Sequence, residues 1–257
     1  MDPWALLNPR EAWLTIILIA AIGFGNYVLL RLYSTRGFYY AAIFGGLVNS
    51  TAAIADLSRP IRAAGSEGRA LGIVVSLILM IAMFARNLAI LSILNPSAGW
   101  IAAGPILLMA MGAGVLVWRQ WRRQVSPPVT LGSPFQIRTI ARFGALFLVI
   151  QIAASLGERL LGTYGAIAVS MIGGFASSAS TTAAVATLAV HGKITPNLAA
   201  IATVATSAAS TAANLLILYR ETRDKALLRD LAWVSASIIA LGVAGLFGIE
   251  YLGVRSR

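Results

Sequence analysis

The chain has no cysteine and only one histidine. Without cysteine there can be no disulfide, thiolate metal site or cysteine nucleophile. The single histidine, His191 in the link VHGKITPN, has no neighbouring residue that would complete a metal site. Charge is also scarce. Only 11% of the 257 residues are charged, where a soluble globular domain carries roughly 25%. The signatures of familiar hydrolases and nucleotide-binding enzymes, H-E-x-x-H, G-x-S-x-G and G-x-x-x-x-G-K-[ST], are missing, and no base stands beside Ser177 or Ser178. The sequence therefore predicts no catalytic residue, no cofactor and no enzyme activity.

In place of charge there is oil: 58% of the residues are hydrophobic and the mean hydropathy is +0.81. Apolar windows of about 20 residues, the length that crosses roughly 30 Å of hydrocarbon, recur along the chain. A spanning segment must satisfy its own backbone hydrogen bonds, and these windows are too long and continuous for barrel strands, so each reads as a helix. The fold class expected is an all-α integral membrane protein of about eight helices, at 12–33, 38–57, 70–93, 97–118, 139–161, 163–190, 195–219 and 231–253. The lead-in MDPWALLNPREAW lacks a basic n-region and its window is long enough to span, so the first helix is read as uncleaved rather than as a signal peptide.

The formal charge of +11 comes from arginines clustered between the apolar windows. That placement suits loops facing anionic headgroups, and no nucleic-acid partner is expected. The implied partners are the lipid bilayer and either another membrane protein or a second copy of the chain. With eight spans both termini share one side. That side gathers twelve basic residues, among them Arg59, Arg62 and Arg69; the other gathers seven, including Arg220, Arg223, Lys225 and Arg229. The first side, with both termini, is assigned to the cytoplasm, with RETRDKALLRD as a dissenting basic link on the outside.

One long polar link, residues 119–138, is rich in proline, glycine and arginine and reads as a solvated connector. It divides the chain into repeats at 1–118 and 139–257. A gapless shift of 128 positions places Arg31 on Arg159, Gly37 on Gly165, Gly45–Gly46 on Gly173–Gly174 and Ser50 on Ser178. These coincidences imply an internal duplication. Four helices in each half would make the halves parallel, related by an axis along the membrane normal.

The shift joins two blocks that are small and polar where oil is expected, GGLVNSTAAIAD at 45–56 and GGFASSASTTAA at 173–184. In the first block Gly46, Asn49 and Asp56 lie on one helix face, with Ser50 and Thr51 beside them. In the sixth helix the face holds Ser170, Gly174, Ser177 and Thr181, with Ser178 adjacent. In the seventh it holds Thr203, Ser207, Ser210 and Asn214. Two readings stand side by side. Small residues and hydroxyls are the usual means by which membrane helices touch. Alternatively, the faces line a polar pathway or solute site, with the pairs Gly45–Gly46 and Gly173–Gly174 interrupting their helices near mid-span.

Arg86, followed by Asn87, lies within the third span. A charge at that depth costs on the order of 3 kcal/mol on insertion scales and marks a functional position. Glu158 matches its depth as a partner; snorkelling to the interface is the alternative. Asp56 falls at the cytoplasmic edge, where Arg59 or Arg62 could pair with it.

The stretches DPWALLNPREAW and LLRLYSTRGFYYAAIFGGLVNSTA resemble the uncharacterised membrane domain that follows the MgtC/SapB domain in many bacterial proteins. The resemblance rests on Asn8–Pro9, Arg31 with Arg36–Gly37, and the run from Gly45 to Thr51. GGFASSASTT resembles that domain's second half, although Asn49 stands where serine is common and an acidic motif is missing at Ser178–Thr182. The resemblance implies a bacterial inner-membrane domain, here without its MgtC/SapB companion, and brings no activity with it. Two functions follow from the sequence: a transporter or channel for a small ion or solute, or a non-transporting module that binds or regulates another membrane protein.

Overall fold

The computed structural model of the protein describes residues 38–121 and 164–251, with isolated positions at 17 and between 149 and 162. Regular structure in these residues is helical. The order is α1 (Phe38–Ala63), a 3-10 turn (Gly65–Glu67), α2 (Gly68–Leu94), α3 (Pro96–Trp121), α4 (Tyr164–Ala176), α5 (Ser178–Val190), α6 (Pro196–Thr222) and α7 (Lys225–Tyr251). Five of them, α1, α2, α3, α6 and α7, are long and apolar enough to cross a membrane. The expected span 12–33, nearly all of 139–161, and the connector beyond Trp121 lie outside the described residues.

Local chemistry explains where the long helices begin. Asn95 Oδ1 accepts the Ala98 N–H at 2.9 Å, and Pro96 takes the first helical position of α3. Thr195 Oγ1 accepts the Leu198 N–H at 3.2 Å ahead of Pro196, and Asp224 Oδ1 accepts the N–H groups of Ala226 and Leu227 at 2.8 and 3.0 Å. A capping oxygen followed by proline, or by free N–H groups, is a helix start. The Asp224 cap puts the start of α7 at Lys225, well before the expected residue 231.

Burial separates the helices into two kinds. In the most apolar window of α2 72% is buried and in that of α6 61%, against 28% in α3 and 22% in α7. The side chains left exposed on α3 and α7, including Trp100, Leu107, Met111, Trp118, Trp233 and Phe247, are large and apolar. Water would penalise such a surface, whereas lipid tails do not.

By contact the chain forms two compact units, each drawing on both halves of the sequence. The first includes 87–104 and 164–210, and the second 38–86, 105–121 and 211–251. In the first unit α4 lies along α6, where Thr206 Oγ1 donates to the Ser170 carbonyl at 3.1 Å. In the second unit α1 folds back on α2 through the 3-10 turn, and α3 lies along α7. A Cβ on Gly112 would sit 2.8 Å from Leu241 Cδ1, and one on Gly245 2.9 Å from Pro105 Cα. As Gly112 meets residue 241 and Pro105 meets residue 245, α3 and α7 run antiparallel.

The second unit corrects the expected sidedness. Arg62, in the last turn of α1, donates Nη1 to the Glu221 carbonyl at 3.4 Å. Arg69, at the start of α2, donates Nε to Asp230 Oδ2 at 3.0 Å, and Nη2 reaches the same oxygen. Leu227 closes over Gly72. The α1–α2 turn and the α6–α7 turn therefore lie at the same end of their helices, not on opposite sides as alternation of eight spans required. RETRDKALLRD is not a dissenting outer link: its bases join Arg59, Arg62 and Arg69.

Candidate functional site: two interrupted helices

Both small-polar blocks contain a break in their helix. In α1, Asn49 has φ −155° and ψ 97°, an extended residue inside an otherwise helical run. Between α4 and α5, Ser177 has φ −167° and ψ 107°. The expected single helix over 163–190 is thus two helices. An extended residue cuts the i to i−4 ladder, leaving N–H groups after the break and carbonyls before it without helical partners. Each breaking residue caps the helix that follows: Asn49 Oδ1 accepts the Ala52 N–H at 3.2 Å, and Ser177 Oγ accepts the Ser180 N–H at 3.3 Å. Asparagine and serine supply that oxygen and tolerate the non-helical backbone, as glycine alone would not do.

The glycine pairs stand just before the breaks. A Cβ on Gly46 would lie 2.9 Å from the Leu79 carbonyl oxygen and 2.8 Å from Ala82 Cβ. A Cβ on Gly174 would lie 2.6 Å from the Thr206 carbonyl oxygen and 3.1 Å from Ala209 Cβ. At both places the backbones touch, α1 on α2 in the second unit and α4 on α6 in the first. Gly45 faces Ala53 across the break, and Gly173 is buried with its carbonyl accepting the Ser177 N–H at 2.8 Å.

In the second unit Arg86 is buried and donates Nη1 to the Val48 carbonyl at 3.1 Å. Val48 is the last residue before the break, so the cation sits at the carbonyl end of a half-helix, the negative end of its dipole. A backbone carbonyl at the break, rather than the water interface, thus receives this guanidinium; Glu158 lies outside the described residues. Ser50 is buried and Thr51 half-buried beside the break, and Asn214 is buried on α6 with neither amide atom hydrogen-bonded to a described residue.

In the first unit Asn87 Nδ2 donates to Ser207 Oγ at 3.0 Å, and Ser207 Oγ donates to the Thr203 carbonyl at 2.9 Å. Thr181 Oγ1 returns to the Ser177 carbonyl at 2.8 Å, and Ser178 is buried next to it. Two buried hydroxyls of this unit, Thr182 Oγ1 and Ser210 Oγ, have no hydrogen-bond partner among the described residues. Thr182 and Thr206 were not singled out by the sequence, because each lies one position off the polar stripe that names its neighbours. Asp56 lies seven residues past the Asn49 break, and His191 lies at the end of α5 away from Ser177. Asp56 is exposed and makes no ion pair among the described residues, while His191 closes α5 with Nδ1 2.7 Å from the Thr187 oxygen.

These features define the class: a helical membrane protein with two self-capped helix interruptions among buried polar residues. The chain belongs to the family described as a domain of unknown function, DUF4010, whose model matches residues 17–220. No curated protein and no solved structure matches it.

Proposed function

We propose that the protein is a transporter or channel for a small ion or polar solute in a bacterial cytoplasmic membrane. The observation that carries this reading is the pair of interruptions at Asn49 and Ser177, near the middle of apolar segments. Irregular backbone at membrane depth is tolerated only where protein or a water-filled cavity surrounds it, and broken helices are the usual means by which carriers present backbone dipoles to a solute. Packing alone accounts for the glycines. It does not account for two extended residues that each surrender helical hydrogen bonds in a low-dielectric medium.

The same reading takes the chain as duplicated. The shift of 128 residues that relates the glycine pairs also carries Asn49 onto Ser177, so the two breaking and capping residues are equivalent. The end of the second unit that collects Arg59, Arg62, Arg69, Arg119, Arg220, Arg223, Lys225 and Arg229 is assigned to the cytoplasm by its charge.

The test is flux into proteoliposomes, assayed for sodium, potassium, chloride, phosphate and neutral amino acids. Wild-type protein moves at least one of these above protein-free vesicles, and Asn49→Leu and Ser177→Leu lower that rate at least tenfold. Should the wild type move none of them, the non-transporting reading, a membrane module that binds another membrane protein, replaces this one.

A further inference from the structure

We propose that the two halves of the chain are inverted repeats, crossing the membrane in opposite senses, and not the parallel pair that four spans per half would give. In each half an interrupted segment folds back on an unbroken helix, α1 on α2 and α4–α5 on α6; Gly46 meets Leu79 and Ala82, and Gly174 meets Thr206 and Ala209, one residue from the positions the shift relates. The turn of the first hairpin, at Ala64–Glu67, meets the far end of α6: Arg62 reaches the Glu221 carbonyl and Arg69 reaches Asp230.

The antiparallel contact of α3 with α7, within the second unit, carries this. The shift of 128 carries Gly112 to Ala240, and Gly112 packs on Ile238 and Leu241, the residues flanking that position. Two equivalent helices that run antiparallel and cross at their own equivalent residues have the geometry of a twofold axis perpendicular to both. An axis lying in the membrane plane is the symmetry of inverted repeats.

The inference deepens the transport reading and rests on it for its consequence. Inverted repeats that exchange conformations are the basis of alternating access in carriers. The test is independent of transport. As the natural chain has no cysteine, single variants Glu67→Cys, Ser97→Cys, Asn197→Cys and Lys225→Cys each report one exposed position. A membrane-impermeant maleimide applied to sealed vesicles of known orientation labels Glu67→Cys and Lys225→Cys from one face, and Ser97→Cys and Asn197→Cys from the other. Labelling of Glu67→Cys with Asn197→Cys, and of Lys225→Cys from the opposite face, restores the parallel arrangement and overturns the proposal. So does labelling of all four from one face. Correct labelling with no flux would leave the topology standing and remove only the transport reading.

Discussion

Arg86 holds its place by a near-balance of terms. Bringing arginine to mid-span costs about 3 kcal/mol on insertion scales. A hydrogen bond from a charged group returns about 1.5–3 kcal/mol, and a cation at a helix C-terminus adds up to about 2 kcal/mol in a partly buried setting. The bond to the Val48 carbonyl combines both gains, so the break at Asn49 and the buried cation stabilise each other. Replacing Arg86 with methionine leaves that carbonyl unsatisfied, and the detergent-solubilised protein should lose about 1–3 kcal/mol of stability. Arg86→Lys should lose less, since an ammonium can still donate. Thermal melts of the two variants check this, and equal melts for both and for the wild type would remove the carbonyl bond as the anchor. The depth of Arg86 was legible in the sequence. Its partner was not, because a backbone carbonyl becomes available to a side chain only where the ladder is cut, and hydropathy carries no record of φ and ψ. Ser177 tests the other break: Ser177→Ala removes the cap from the Ser180 N–H and should cost about 1 kcal/mol, whereas Ser177→Gly should cost only a few tenths.

The interrupted helices owe their positions to two different residue types. Glycine sets the distance between helices, and the residue three places further on sets the break. One of the two sequence readings put the interruptions at the glycine pairs, yet Gly46 and Gly174 remain helical and the chain is extended at Asn49 and Ser177. At the break a side-chain oxygen satisfies an N–H of the helix that follows, which Asn49 and Ser177 supply. The glycines instead permit backbone contact, and their replacement should act through overlap. A valine at position 46 or 174 meets a carbonyl oxygen closer than 3.0 Å to its Cβ, and overpacking of that kind costs about 1–3 kcal/mol. Gly114 in α3 offers the control, since nothing lies within 4 Å of a Cβ there. Gly114→Ala should leave the melting temperature unchanged or raise it, while Gly46→Val and Gly174→Val should lower it, each measured in the same detergent.

At the scale of the molecule, the helical membrane class and most helix limits were legible, because apolar length and capping residues are local. Sidedness was not, since counting apolar windows treats every one as a single crossing and an error at one window reverses everything downstream. The contacts of Arg62 with the Glu221 carbonyl and of Arg69 with Asp230 are long-range facts that no window contains. They also make sense of the charge. With RETRDKALLRD at the same end as Arg59, Arg62 and Arg69, these basic residues no longer oppose one another. The pair itself gives a direct measure of that shared end. Both side chains are partly exposed, so the interaction should contribute no more than about 1 kcal/mol. Arg69→Asp alone and Asp230→Arg alone should each lower stability, by placing like charges together. The doubly reversed protein should recover most of the loss, because the attraction returns with its sign preserved. If the two turns instead faced opposite sides of the bilayer, the charges would not meet and the two losses would add. Melts of the wild type, the two single variants and the double variant at low salt separate these outcomes, and high salt should shrink the coupling by screening it.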